Sequence, residues 1–126
     1  MRPEELQMYD WVLINDTPHQ IKQITRKKVG YHRTPYNLDY ARLIDVKPIP
    51  ITAEILEKNG FKVVTYPLGN IVSIWGDDYK NSILWSGVMI TVRHWDNSKD
   101  YQGCAEYIHQ LQQAIRLCEI DKRIEL

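Results

Sequence analysis

The residues whose chemistry stands out in this sequence are basic and aromatic side chains concentrated between positions 22 and 47. Seven of the sixteen basic residues lie there against two acidic residues, which gives the segment a charge of +5. Basic groups attract phosphates, and exposed aromatic faces stack on unpaired bases. The segment therefore predicts a surface that contacts single-stranded nucleic acid.

Five residues of this segment are the candidate contacts. We expect Lys27, Lys28 and Arg33 to bind phosphates, and we expect Tyr31 and Tyr36 to stack on bases. A competing interpretation is that the charges protect an exposed strand edge, because lysine and arginine block edge-to-edge pairing. The whole chain is neutral, with sixteen basic and sixteen acidic residues, and this balance favours edge protection, since dedicated nucleic-acid-binding domains are usually basic.

Motifs for catalysis and for metal or cofactor binding are missing from the sequence. It contains no Cys-x-x-Cys, no His-Glu-x-x-His and no nucleophile elbow, and its six glycines stand apart rather than in a phosphate-binding loop. An enzyme would need convergent polar groups in one cleft, which no motif indicates. The sequence predicts a non-catalytic protein without a metal or cofactor, and a small enzyme with an unrecognised site is the third possibility.

The elements that must position the candidate residues begin with a β-rich region. The chain has 126 residues, of which 44 % are hydrophobic and 25 % charged, a composition typical of a globular domain. Strand-forming segments at 10–14, 19–25, 28–33 and 40–46 are separated by turn clusters. This spacing predicts an SH3-like region over residues 1–50, either a small barrel or a bent sheet.

Residues 51–126 carry a different pattern. Thr52 is a suitable N-cap for a short helix over 53–58, and Asn59-Gly60 is a left-handed stop. Strands are expected at 61–66, 71–75, 79–85 and 88–95, and an apolar stripe predicts a helix from Tyr101 to about Glu119. The fold class is therefore α+β, with an antiparallel meander covered by a C-terminal helix. One continuous curved sheet with both helices on one face is the alternative.

The two cysteines and the hydropathy pattern predict a cytoplasmic protein without a membrane partner. Cys104 and Cys118 lie on the predicted C-terminal helix, about 21 Å apart at ~1.5 Å per residue, too far for a disulfide. Two buried thiols are typical of a reducing compartment. No apolar run is long enough to span a membrane, and the start of the chain lacks the apolar core of a signal peptide.

Three phrases of the sequence occur in the same order as in a known family. They are Glu5-Leu6 with Asp10-Trp11-Val12, the stretch from Pro48-Ile49-Pro50-Ile51-Thr52 to Gly60-Phe61, and Tyr107-Ile108-His109-Gln110-Leu111-Gln112. The chain resembles a family of small uncharacterised proteins from gut-bacterial genomes, prophages and other mobile elements. The resemblance implies a phage or mobile-element setting and an intracellular bacterial protein, and it carries over no catalytic residue.

Taken together, the residues predict a binding or assembly module, and two partner classes remain open. The first is nucleic acid, bound through the segment 22–47. The second is a protein partner or a second copy, in which case the chain is an adaptor or structural protein that uses the C-terminal helix or a sheet edge. Steep salt dependence of binding favours the first class, and concentration-dependent self-association favours the second.

Overall fold

The computed structural model describes residues 1–67, 69–77 and 80–126. Its internal contacts cluster in two compact units, Met1–Ile49 and Pro50–Leu126. Each unit contains a five-stranded antiparallel sheet, and the two α-helices of the described residues belong to the second unit. The predicted α+β class is confirmed.

The first unit is an open sheet. Its strands are β1 (Trp11–Ile14), β2 (Thr17–Ile24), β3 (Lys28–Thr34), β4 (Asn37–Arg42) and β5 (Val46–Lys47), in the spatial order β4-β3-β2-β1-β5. A single turn of 3-10 helix, Leu43–Asp45, separates β4 from β5. Within residues 1–49, all of which are described, β4 and β5 are the two edges, so of the two predicted forms, a small barrel and a bent sheet, the closed barrel is wrong. With only two residues, β5 offers too few hydrogen bonds to close the sheet against β4.

Alternation of apolar residues builds the core of the first unit. Val12 and Ile14 of β1 are buried, as are Ile21 of β2 and Val29 of β3. The turn between β1 and β2 consists of Asn15 and Asp16, whose φ angles of 52° and 61° are those of a type I′ hairpin. This turn fixes the register, which places Val12 and Ile14 of β1 and Ile21 of β2 in the core.

The second unit is a helix followed by a meander and a second helix. Its elements are α1 (Ala53–Lys58), β6 (Lys62–Thr65), β7 (Ile71–Asp77), β8 (Asn81–Ser86), β9 (Met89–His94), β10 (Lys99–Cys104) and α2 (Ile108–Leu117). The strands pair strictly in chain order, from β6 at one edge to β10 at the other. The predicted start of a strand at Tyr79 lies outside the described residues.

The predicted long C-terminal helix is wrong in its first third. Residues Lys99–Cys104 form β10, which pairs with β9 over its whole length, and α2 begins only at Ile108. The spacing of Cys104 and Ile108 fits a helix, but hydrogen bonds with β9 outweigh this local preference, and Gly103 disfavours a helix. One consequence concerns the thiols: Cys104 is exposed on a strand, not buried on a helix, whereas Cys118 is buried.

The helices cover one face of the second sheet. α1 packs on β6 and β7, and α2 packs on β9 and β10. On this face Trp85 is buried and donates a 2.8 Å hydrogen bond from Nε1 to the carbonyl of Ala105. Six of the ten residues of α2 are buried, Gln112 among them, and Leu117 is exposed. The helix therefore offers a partner protein little free surface.

The ends of α1 follow the predicted capping chemistry. Thr52 Oγ1 accepts a 3.2 Å hydrogen bond from the Ile55 amide, and Gly60 adopts a φ of 85° beyond the last turn. Asn59, which is buried at the C-cap, also holds the C-terminal tail. Its Nδ2 donates to the carbonyls of Ile55 and Glu125, both at 2.8 Å, and its Oδ1 accepts from the Glu125 amide at 2.7 Å.

Candidate nucleic-acid interface

The five predicted contact residues all lie on or beside β3. Lys27 is in the turn before the strand, Lys28 and Arg33 lie near its two ends, and Tyr36 is in the turn that leads to β4. Five residues along a strand span about 17 Å at ~3.4 Å each, so the two ends of β3 are separate surfaces. The structure therefore does not bring the five residues together.

Tyr31 differs from the other four because it is buried. Only 5 % of the residue is exposed, and its ring lies 4.6 Å from the ring of His19, centroid to centroid. A buried ring offers no face to a base, so the predicted stacking role does not fit its position. Val29 and Tyr31 alternate on the core face, and this alternation is the signal in the sequence that indicates burial.

The far end of β3 carries Arg33 and Tyr36. Arg33 is the one cation at this end of the fully described first unit, and its Nε lies 3.7 Å from Asp39 Oδ2 in an exposed ion pair. Tyr36 is 94 % exposed at the tip of the turn. A freely exposed ring loses side-chain entropy when it binds, so this end is the weaker surface for stacking.

The near end of β3 concentrates positive charge. Lys28 pairs directly with Arg42 of β4, so two cations occupy opposite positions on one face of the sheet. Like charges placed directly opposite each other destabilise a sheet, and Arg42 relieves the repulsion through a 2.9 Å contact of its Nε with Asp45 Oδ2. Lys27 and Arg26 are exposed in the adjoining turn. This cluster is where a phosphate would meet the highest local charge.

A tyrosine lies next to this cluster in an unusual position. Tyr40 pairs with Gly30, and its Cε1 would lie 3.3 Å from a Cβ atom added to that glycine. The Tyr40 hydroxyl donates a 3.0 Å hydrogen bond to Gln23 Oε1 on β2. The side chain therefore extends from β4 across β3 to β2, with the backbone of Gly30 beneath it. Half of the residue, 50 %, remains exposed.

The ring and its neighbours define a surface that we call the Tyr40 face. Strand register places them on the same side of the sheet in three successive rows. Its members, all exposed, are Lys28, His32, Leu38, Tyr40 and Arg42. A fixed aromatic ring beside two cations can stack on one base while the cations contact the flanking phosphates.

Sequence reasoning placed Tyr40 and Arg42 in the basic segment but not among the contact residues. The alternation of side chains between the two faces of β4 indicates both residues, because positions 38, 40 and 42 must share one face of a strand. The part played by Gln23 depends on a bulge in β2 between Ile21 and Gln23. Imperfect alternation of apolar and polar residues over 19–25 indicates that a bulge is possible there, but only pairing with β3 decides its position.

Two further kinds of structure are absent from the described part of the chain. No three His, Cys, Asp or Glu side chains there are grouped as metal ligands. No helix among the described residues has the length and apolar character needed to cross a membrane. No protein-family model, curated protein or solved structure matches the sequence.

Proposed function

We propose that this protein is a non-catalytic module that binds single-stranded nucleic acid through the Tyr40 face. One observation carries the proposal: the Tyr40 ring is fixed across Gly30 with one side open, next to the Lys28–Arg42 pair. Stacking on an aromatic side chain contributes about 1–3 kcal/mol per base. Because the ring is already held by Gln23, it loses little freedom when a base stacks on it.

The exposed ring of Tyr40 supports a single strand over a duplex as the ligand. In a duplex both faces of a base are stacked on its neighbours, so the Tyr40 ring has no base to bind. One stacked base and three cations, Lys27, Lys28 and Arg42, predict binding in the micromolar range. We therefore expect binding that tolerates any sequence and weakens with salt.

The proposal includes an SH3-like arrangement of the first unit and a phage or mobile-element setting. The strand order β4-β3-β2-β1-β5 and the 3-10 turn before β5 support the SH3-like assignment. The absence of disulfides supports a cytoplasmic location, since both cysteines are free. The phrases Pro48–Phe61 and Tyr107–Gln112 support the mobile-element setting.

Fluorescence titration with short labelled single-stranded DNA and RNA tests the proposal. We expect micromolar binding at about 50 mM salt and much weaker binding at about 200 mM. Tyr40→Ala and the double variant Lys28→Glu/Arg42→Glu should each abolish it. Arg33→Glu is the matched control at the far end of β3, and it should retain most of the affinity. Binding that is lost in Arg33→Glu but kept in Tyr40→Ala would refute the Tyr40 face.

A protein-binding adaptor is the second candidate function. The observation that favours it is β4, a six-residue edge strand whose outer side carries no ladder partner within the described unit. An extended peptide can add to such an edge as a sixth strand. Proline at position 38, which interrupts the edge, should reduce peptide binding if this candidate is right. Because Leu38 also belongs to the Tyr40 face, nucleic-acid binding by Leu38→Pro is measured beside it, and only a loss confined to peptide binding supports this candidate.

A further inference from the structure

The face of the second sheet opposite the helices is uncovered and carries a cluster of exposed apolar side chains. Strand register arranges its side chains in rows that cross all five strands. One row contains Lys62, Ile74, Leu84, Thr91 and Gln102, and the next contains Val64, Val72, Ser86, Met89 and Cys104. Ile74, Val64 and Met89 are each more than 40 % exposed, and Leu84 is 36 % exposed. An apolar area of this kind on a small unit is typical of an interaction surface.

Charged groups in these rows and the neighbouring one lie towards the rim of the face. Lys62 is on β6, one edge of the sheet, and Asp100 is on β10, the other edge. Arg93 pairs with Asp100 across β9 and β10 in the third row. Lys62 therefore lies at one edge of the apolar centre and Asp100 at the other, with Arg93 beside Asp100.

We propose that two copies of this chain pair through this face, about a two-fold axis parallel to β8. Such an axis reverses each row, so that Leu84 meets Leu84 of the second copy on the axis. It also sets Val72 on Met89, and Val64 on Cys104. Every contact of the second row then joins two apolar or sulfur-bearing side chains, apart from Ser86, which meets its own copy. Two sheets packed in this way keep their strands within about 30° of each other.

Charge selects this axis over the perpendicular one. With the axis along β8, the β6 edge of one copy lies over the β10 edge of the other, which brings Lys62 towards Asp100. An axis perpendicular to β8 would instead place β6 over β6. If that axis crosses the first row, Lys62 meets Lys62 of the second copy, and if it crosses between the two rows, Lys62 lies on Val64. The former repels and the latter buries a charge against an apolar side chain, so the axis along β8 is favoured.

The size of the face predicts a weak dimer. Five strands at ~4.8 Å and three rows at ~7 Å give a projected area of roughly 500 Å². A stable interface buries about 800 Å² per partner, so the sheet face alone falls short of that. Pairing should therefore depend on concentration in the micromolar range. The proposal is independent of nucleic-acid binding, since it uses none of the residues of the Tyr40 face.

Cysteine cross-linking tests the arrangement directly. In a Cys104→Ser background, in which the buried Cys118 remains, Leu84→Cys should form a covalent dimer with a short bis-maleimide cross-linker, because position 84 lies on the axis. A cross-linker is needed because packed sheets are about 10 Å apart, too far for a direct disulfide. Lys62→Cys is the matched control on the same face and should stay monomeric. A mixture of Val72→Cys and Met89→Cys chains should give a mixed dimer, while each chain alone gives little.

Sedimentation velocity of uncross-linked protein supplies the second readout. Wild-type protein should shift from monomer to dimer as concentration rises, and Leu84→Asp should weaken this association by about tenfold or more. Leu117→Asp places the same charge on the exposed part of α2 and should leave association unchanged. A monomer at all concentrations, or a covalent dimer of Lys62→Cys, overturns the proposal. Circular dichroism of each variant shows that it is folded.

Discussion

Gly30 determines the geometry of the candidate site although it contributes no side chain to it. An added Cβ atom would lie 3.0 Å from the Cβ of Gln23 and 3.3 Å from Cε1 of Tyr40. Both distances are shorter than ordinary van der Waals contact, so any larger residue must displace the ring. Gly30 is therefore a positioning residue for Tyr40. The sequence shows a glycine in a strand, but only the register with Tyr40 explains why it is there.

Gly30→Ala should weaken nucleic-acid binding although every contact residue is retained. The methyl group lifts the Tyr40 ring and disturbs its hydrogen bond to Gln23, so we expect a several-fold loss of affinity in the fluorescence titration. Tyr40→Phe is the matched control, because it removes the hydroxyl but leaves the ring over Gly30. It should lose less affinity than Gly30→Ala. Equal binding by Gly30→Ala and wild type would mean that the ring is not the platform.

His19 makes the stability of the first unit depend on pH. Burial beside Tyr31 lowers the pKa of His19 below its usual value of 6.5, because the charged form is poorly solvated there. The unfolded chain then binds more protons than the folded one as pH falls through that range. The contribution is therefore fully present above about pH 6.5 and is lost as pH falls through the folded pKa.

Urea unfolding at pH 7.5 and pH 5 measures this contribution. The unfolding midpoint of wild type should fall at the lower pH, and His19→Gln should show a smaller fall. His32→Gln replaces an exposed histidine of the same sheet and controls for the substitution. An identical pH response in wild type and His19→Gln would contradict the assignment.

At the scale of elements, local chemistry predicts α1 well and β10 badly. The cap at Thr52 and the stop at Gly60 act within a few residues, so the sequence alone indicates both ends of α1. The strand β10 exists because β9 lies beside it, and its apolar spacing also fits a helix. The Tyr40 face follows the same rule: alternation along β4 predicts which residues share a face, but the contact with Gln23 needs the bulge in β2.

Asn59 joins two elements that are far apart in the chain, and its loss should release the tail. The substitution Asn59→Ala removes the three side-chain hydrogen bonds of Asn59 to Ile55 and Glu125. At ~1 kcal/mol for each bond, we expect the free energy of unfolding to fall by about 3 kcal/mol. Hydrogen exchange at the Glu125 amide should accelerate more than exchange in β8. Uniform acceleration across the second unit would show instead that the tail and sheet open together.

At the scale of the whole molecule, overall neutrality conceals two units of opposite charge. Residues 1–49 contain eight basic and six acidic side chains, a net +2, and residues 50–126 carry the compensating −2. A neutral total charge is therefore weaker evidence against nucleic-acid binding in this chain than in a chain whose charges are evenly distributed. The local charge of the binding surface controls counterion release.

The salt dependence of binding should report the number of cations engaged. Three phosphate contacts on a single strand predict a slope of log affinity against log salt of about −2, at about −0.7 per contact. Lys28→Ala/Arg42→Ala should reduce the slope to about −0.7, while Lys58→Ala in the second unit should leave it unchanged. A slope near zero in wild type would show that phosphates do not contribute.

The two thiols differ in a way that makes the wild-type chain easy to label. Cys104 is exposed on the uncovered sheet face, with its Sγ 3.8 Å from the sulfur of Met89. Cys118 is buried, and burial raises the pKa of its thiol, so little reactive thiolate forms there. A maleimide dye should therefore attach at one site without any engineered cysteine. That dye would sit where a second copy is expected to dock, so the reagent that reports on pairing would also block it.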